Sequence, residues 1–435
     1  LVGEKSFLGF AMSVIKSNFN TFLQTHDSES EIIRDLRKNA FDEFMKVGYP
    51  TKKHENWRFT DLSSLTKAEY QFTNREISKI DREIIDNHSI DNSFRIVFVN
   101  GIFDTELSEL RDISKHIAIK SIFDSSGRPT NDFTENGKNP FILLNMAFVT
   151  GGNVIEIDSN YIEDKPLHIL NIIHDGKDSI QHHQQNLIQI GKNSQISIIE
   201  ENVNINKKEL FKNTVYNIQI DKNSLLSHIL LQQNHAKSRV LNHIFVEQQN
   251  NSTYNTQMIN IGGDLVRNDI NIQINGENCD TDISGLSLLS GKDHIENYTI
   301  ISHNKPNSNS QQLFKYILDE SSEGVFNGLV TVQTDSQNTD SQQTNKNILL
   351  SKKALMNSNP QLEIYADDVS CSHGSATGEL DENAIFYLRS RGIDLMTAKS
   401  LLIEGFAKEV TDKIKIDSIK EKLNFELSKW LAKQI

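Results

Sequence analysis

Cys371-Ser-His373 is the pair of side chains best placed to do chemistry. Residues two apart in an extended segment project to the same face, so thiol and imidazole would stand together. A histidinium there can lower a thiol pKa, and sulfur with nitrogen makes a ligand pair for a soft metal. The competing arrangement is a buried cysteine beside an exposed histidine. Nine further histidines, His168, His174, His182, His183, His228, His235, His243, His294 and His303, show neither the short repeated intervals nor the neighbouring thiolates of a zinc site. They are expected as polar residues on the faces of the fold. His228 and His235 are seven apart, which on one unbroken strand turns them to opposite sides. Asp367-Asp368 is the nearest carboxylate pair, but adjacent strand residues also diverge and make a poor acid/base couple. Gly374-Ser-Ala-Thr-Gly378 lacks the following Lys-Ser or Lys-Thr of a phosphate loop.

The elements that must position these residues change character along the chain. From Glu4 to about Lys46 apolar residues recur at helical spacing, with Ile32, Leu36, Phe41 and Phe44 near one face. Ser28 with Glu31 reads as a capping box, and Gly48 with Pro50 as a stop. Beyond Gly151 the period becomes two, and strands dominate to about residue 373. Polar turns centred on Asn193, Asn223, Asn251 and Asn278 recur every 27 to 30 residues. Short strands between turns at near-constant intervals are the signature of a β-solenoid. The expected fold is therefore mainly β: a right-handed parallel β-helix core flanked by N-terminal and C-terminal α-helical regions. Such a core would leave its long faces polar, and its two open ends would need helices or a partner. The segment from Leu362 to Gly374 reads as the last strand. Helical spacing returns from Asp381, with a break at Arg391-Gly392 and Asp394 as the next cap. The expected divisions are 1–145, helical and mixed; 146–380, the β-helix; and 381–435, helical.

Composition narrows the function. The chain of 435 residues carries 45 Lys and Arg against 58 Asp and Glu, a formal net charge of −13. That argues against nucleic acid, which needs clustered basic residues. Two cysteines, Cys279 and Cys371, make no disulfide framework and suit a reducing compartment. With no apolar run of membrane-spanning length, a cytoplasmic protein without membrane contact is expected.

Several runs resemble one family closely: Asn359 through Gly374 with its Cys371-Ser-His373 core, Gly378-Glu-Leu-Asp381, Phe386 through Ile393, and Gly405 through Val410. Upstream, Gly262-Gly-Asp-Leu-Val-Arg267, Ser310 through Lys315, Gly324-Val-Phe-Asn-Gly328, Thr339 through Asn345 and Trp57 through Leu62 extend the likeness over most of the chain. The sequence resembles the SufB/SufD family of the Suf iron–sulfur cluster assembly machinery. Within it, His373-Gly374-Ser375 stands where SufB proteins carry His-Glu-Ala, and Asn345 where they carry a sulfur-accepting cysteine. Both differences point to the SufD-type branch, although Ser375 replaces its usual alanine. The resemblance implies a non-catalytic scaffold that pairs with SufB along the β-helix and binds the SufC ATPase through the C-terminal helices. Candidates for that contact are Phe386, Tyr387, Leu388, Arg391, Gly392 and Phe406. It further implies that His373, as the metal ligand, and Cys371 lie where iron or a transient cluster is held between the two subunits. No intrinsic cofactor is expected. A reduced flavin is possible in the assembled complex, but the sequence shows no flavin motif. The alternatives are a SufB-like subunit, a SufD homodimer acting alone and, more remotely, a β-helix carbohydrate-active enzyme.

Overall fold

The structure, a computed structural model, describes residues 2–27, 29–72, 80–110, 115–123, 139–174, 179–205 and 208–434. From Gly151 to Gly378 successive strands alternate between two ten-stranded sheets, and each strand pairs in parallel with the one two places along. The first sheet ends at Leu355–Ile364 and the second at Val369–Gly378. At the other end, Ile117–Ser121 closes the first sheet and Ile102–Glu109 the second, both antiparallel to their neighbours. The fold is the β-solenoid that the period of two and the recurring turns predict.

The turns explain why the chain coils so regularly. Asn193, Asn223, Asn251 and Asn278 all have φ between 55° and 58°, a left-handed conformation that asparagine tolerates better than other side chains. Asn160, Asn307 and Asn338 share that backbone. Each side-chain amide donates to the asparagine one coil earlier: Asn223 Nδ2 to Asn193 Oδ1 at 2.9 Å, Asn251 to Asn223 at 2.9 Å, and Asn278 to Asn251 at 3.2 Å.

Between the sheets lies an apolar stack including Ile198, Leu230, Val246, Ile272, Phe314 and Phe326. The outer faces are not wholly polar. Phe211, Leu241 and Leu265 of the first sheet pack under the N-terminal helices with Phe41, Phe44, Trp57 and Phe148. Ile199, Ile229, Leu231, Leu286 and Ile317 of the second sheet pack under the C-terminal helices. The helices therefore cover faces rather than ends, because apolar side chains on both sides of a strand demand cover on both sides.

The N-terminal pair is Val2–Thr25 and Glu31–Val47. Ser30 caps the second helix by accepting from the Ile33 N–H, and Gly48, at φ 72°, stops it. Ser28 lies outside the described residues. The buried side of that helix is Arg37, Ala40, Phe41 and Phe44, whereas Ile32 is exposed. Arg37 grips Glu29 at 2.8 Å and the carbonyls of Ala147 and Val149, which satisfies a buried guanidinium. No described helix is long and apolar enough to cross a membrane.

Candidate functional site

The expected final strand is two strands, Leu355–Ile364 and Val369–Gly378, separated by a bend. Asp367 and Asp368 sit in that bend, not on a strand, and both are exposed. There the Asp368 N–H donates to Gln337 Oε1 and its carbonyl accepts from the Asn338 N–H, a turn-fixing role.

Cys371 and His373 lie on Val369–Gly378, the outermost rung of the second sheet, in register with Ser341 and Gln343. Even spacing puts Cys371, His373, Ser375 and Thr377 on one side, and Cys371 packs against the apolar interior, so that side faces the lumen of the solenoid. Cys371 is half-buried and His373 exposed. Burial pushes the Cys371 thiol up; a backbone hydrogen bond at Ser341 offsets this in part, and the Asp340 carboxylate adds to it. His373 is not among the groups acting on the thiol. In the isolated chain the pair is thus a neutral thiol beside a solvent-facing imidazole.

A polar row supports this rung. Ser375 Oγ donates to Ser358 Oγ at 2.8 Å, tying the last strands of the two sheets together, and to Asn345 Oδ1 at 3.3 Å. Asn345 is fully buried and its amide donates to the Phe314 carbonyl at 3.1 Å. Asn347 Nδ2 donates to Thr377 Oγ1 at 2.9 Å. The signal for this row was the even spacing of Ser341, Gln343, Asn345 and Asn347, which charge and hydropathy do not report. Cys279 is far from it in the stack, buried with its thiol donating to the carbonyls of Gln249 and Gly276.

The helix candidates separate. On Glu382–Ser390, Phe386 is 75% exposed and Tyr387 56% exposed, with Leu388 half-buried, and Arg391 and Gly392, at φ 85°, follow in the exposed turn. Phe406, on Leu395–Thr411, instead packs toward the second sheet, with the Lys315 ammonium 4.1 Å from its ring centre. Lys315 also pairs with Glu409 and donates to the Phe406 carbonyl. Lys346 pairs with Glu409 at 3.0 Å, Lys413 with Asp282 at 2.7 Å and Lys422 with Glu201 at 2.6 Å, so lysine–carboxylate contacts fasten the C-terminal region to the second sheet.

The histidines expected on polar faces are mostly inside: His168, His182, His183, His228, His243 and His303 are at most 2% exposed. No three His, Cys, Asp or Glu side chains converge as a metal site among the described residues. Trp57 lines a half-open cleft of about 730 Å³ with Tyr298, His243 and Arg267. Arg267 lies 3.9 Å from the Trp57 ring centre and is committed to Asp269 at 2.7 Å and Glu296 at 2.8 Å. Its charge is spent on those carboxylates, so the cleft suits a flavin phosphate poorly.

Residues 172–406 match the SufBD core domain of SUF-system FeS cluster assembly, and residues 17–169 match the SufBD protein N-terminal region. The chain belongs to the SufB/SufD family. It is 31% identical over 418 residues to the iron–sulfur cluster assembly protein SufD of Escherichia coli K12, covering 95% of this chain and 97% of that one. A SufBD family iron–sulfur cluster assembly protein of Synechocystis is 30% identical over 414 residues, covering 91% and 90%. The chloroplastic protein ABCI7 of Arabidopsis thaliana is 36% identical over 163 residues, 37% of this chain and 34% of its own. This SufD-type protein therefore has a Suf-system role in iron–sulfur cluster assembly.

Proposed function

We propose that this SufD-type chain is a scaffold subunit that pairs with SufB, binds the SufC ATPase, and lends His373, with Cys371 beside it, to iron or a nascent cluster at the SufB boundary. The observation that carries this reading is the open end of the solenoid. Cys371 and His373 stand on the last rung, facing a lumen that no further rung covers among the described residues. A second solenoid end placed there would close a chamber around them. Imidazole is a competent iron ligand, and a thiol that burial keeps neutral in the lone chain loses its proton on binding metal. ATP hydrolysis belongs to SufC in this scheme, and the exposed helix carrying Phe386 and Tyr387 is the surface offered to it.

The test is coexpression with SufB and SufC, anaerobic purification, and measurement of iron and acid-labile sulfide in wild type and His373→Ala. The variant complex is expected to assemble at normal size and carry much less of both. Wild-type contents in the variant would remove His373 from the site.

A further inference from the structure

Directly beneath His373, one strand spacing of about 4.8 Å away, Gln343 occupies the same lumen-facing column. Its side chain is 1% exposed, yet neither its Nε2 nor its Oε1 has a hydrogen-bond partner. Amides this deeply buried are nearly always paired, as the Asn260, Asn268 and Asn297 amides further along the same lumen are. Gln312, in register one rung below, repeats the pattern in part: its Oε1 accepts from Thr299 Oγ1 at 2.7 Å, while its Nε2 has no partner.

The opposite wall is shaped to admit this amide. Gly328 faces it from the first sheet, and a β-carbon there would fall 2.1 Å from Gln343 Nε2. Gly328 lies within the strand Glu323–Val332 and its φ is not in the left-handed region, so the backbone does not require glycine there; the amide fills the space a β-carbon would take. An amide with idle donors, lodged against the Gly328 backbone, thus lies one rung beneath the exposed imidazole.

We propose that Gln343 forms the floor of the assembly site and that its amide N–H donates to the sulfide or thiolate sulfur of whatever His373 holds. This rests on the proposed role of His373. A sulfide-bearing iron species is rich in acceptors and lacks donors, which is what an idle amide complements. Hydrogen bonds to cluster sulfur raise the reduction potential and slow the loss of the cluster.

The test uses the coexpressed complex with SufB and SufC. Gln343→Met keeps side-chain volume and removes the donor. It is expected to retain bound iron and sulfide on purification, release iron to a ferrous chelator about two- to tenfold faster, the range that one hydrogen bond supplies, and move the potential negative. Gly328→Ala, which displaces the amide, is expected to give the same direction. The isolated Gln343→Met chain is expected to melt at or above the wild-type temperature, because an unpaired amide has left the interior. A lower melting temperature would make Gln343 a structural residue and overturn the inference. So would wild-type release and potential in Gln343→Met while His373→Ala loses its iron, a result that leaves the proposed function standing. Full iron in His373→Ala removes both.

Discussion

His182, His183 and His303 are buried among groups that do not welcome charge. Burial, with the Lys212 ammonium nearby, pushes His182 down to about 3; burial, with His182 and Arg37, does the same to His183; burial alone takes His303 to about 4. Each stays neutral in the folded chain but protonates near 6.5 once unfolded. The unfolded state therefore binds more protons below pH 6.5, and stability falls as pH drops through that window. Glu201 works lower down: burial raises it, but the neighbouring His168 imidazole, the His88 hydrogen bond and the Lys422 charge outweigh that and hold it below the usual carboxylate range. Its contribution is complete above its unfolded value near 4.5 and is lost only below it. Acid destabilisation should thus begin about two pH units above the carboxylate range. His303 accepts from or donates to Ser310 Oγ at 2.9 Å, a contact that glutamine can replace. In His303→Gln, the denaturant midpoint should fall less steeply between pH 6.5 and 4 than in wild type. Parallel curves for the two proteins would rule out His303 as a source of the slope.

The coil is held at its corners by the asparagine turns, and there a single substitution tests an element. Asn223→Ala keeps the chain in a left-handed conformation that alanine resists and cuts the ladder on both sides, since Asn223 donates to Asn193 and accepts from Asn251. The expected loss is about 1–3 kcal/mol, and Asn223→Gly, which restores the backbone freedom, should recover part of it. Urea midpoints of the three proteins decide this, and equal midpoints for alanine and glycine would assign the loss to the ladder alone. These turns were legible in the sequence because they repeat. Cys371 and His373 were legible as a pair because they share one strand at even spacing. The helix cover of the outer faces was not, because Ile199 or Leu231 reads as an ordinary strand residue until its partner in Leu395–Thr411 or Asp417–Gln434 is placed. Nor was the difference between Phe386 and Phe406. Both sit in helical patterns, and only Lys315, far upstream in the chain, draws Phe406 inward.

At the scale of the molecule the two ends differ. Antiparallel strands close the early end, while among the described residues no further strand pairs with the outer edges of Leu355–Ile364 and Val369–Gly378 at the late end, and helices lie along the faces beside it. Such edges attract another strand unless a charge blocks them. Ile364 belongs to the interior column of the first sheet, in register with Val332, yet it is 41% exposed, and Tyr365 after it is 58% exposed. Ile364 is thus an interior-type residue lacking the next rung. Ile364→Lys places a charge there: in the lone chain the ammonium reaches water and the melting temperature should hardly move, but end-on pairing would bury it without a partner. In coexpression with SufB and SufC, this variant is expected to lose SufB from the copurified complex while keeping SufC. Phe386→Ser, on the exposed helix, is expected to do the reverse. Retention of SufB by Ile364→Lys, read by size-exclusion chromatography and subunit stoichiometry, would move the pairing surface away from the open end and take the enclosed chamber around His373 with it.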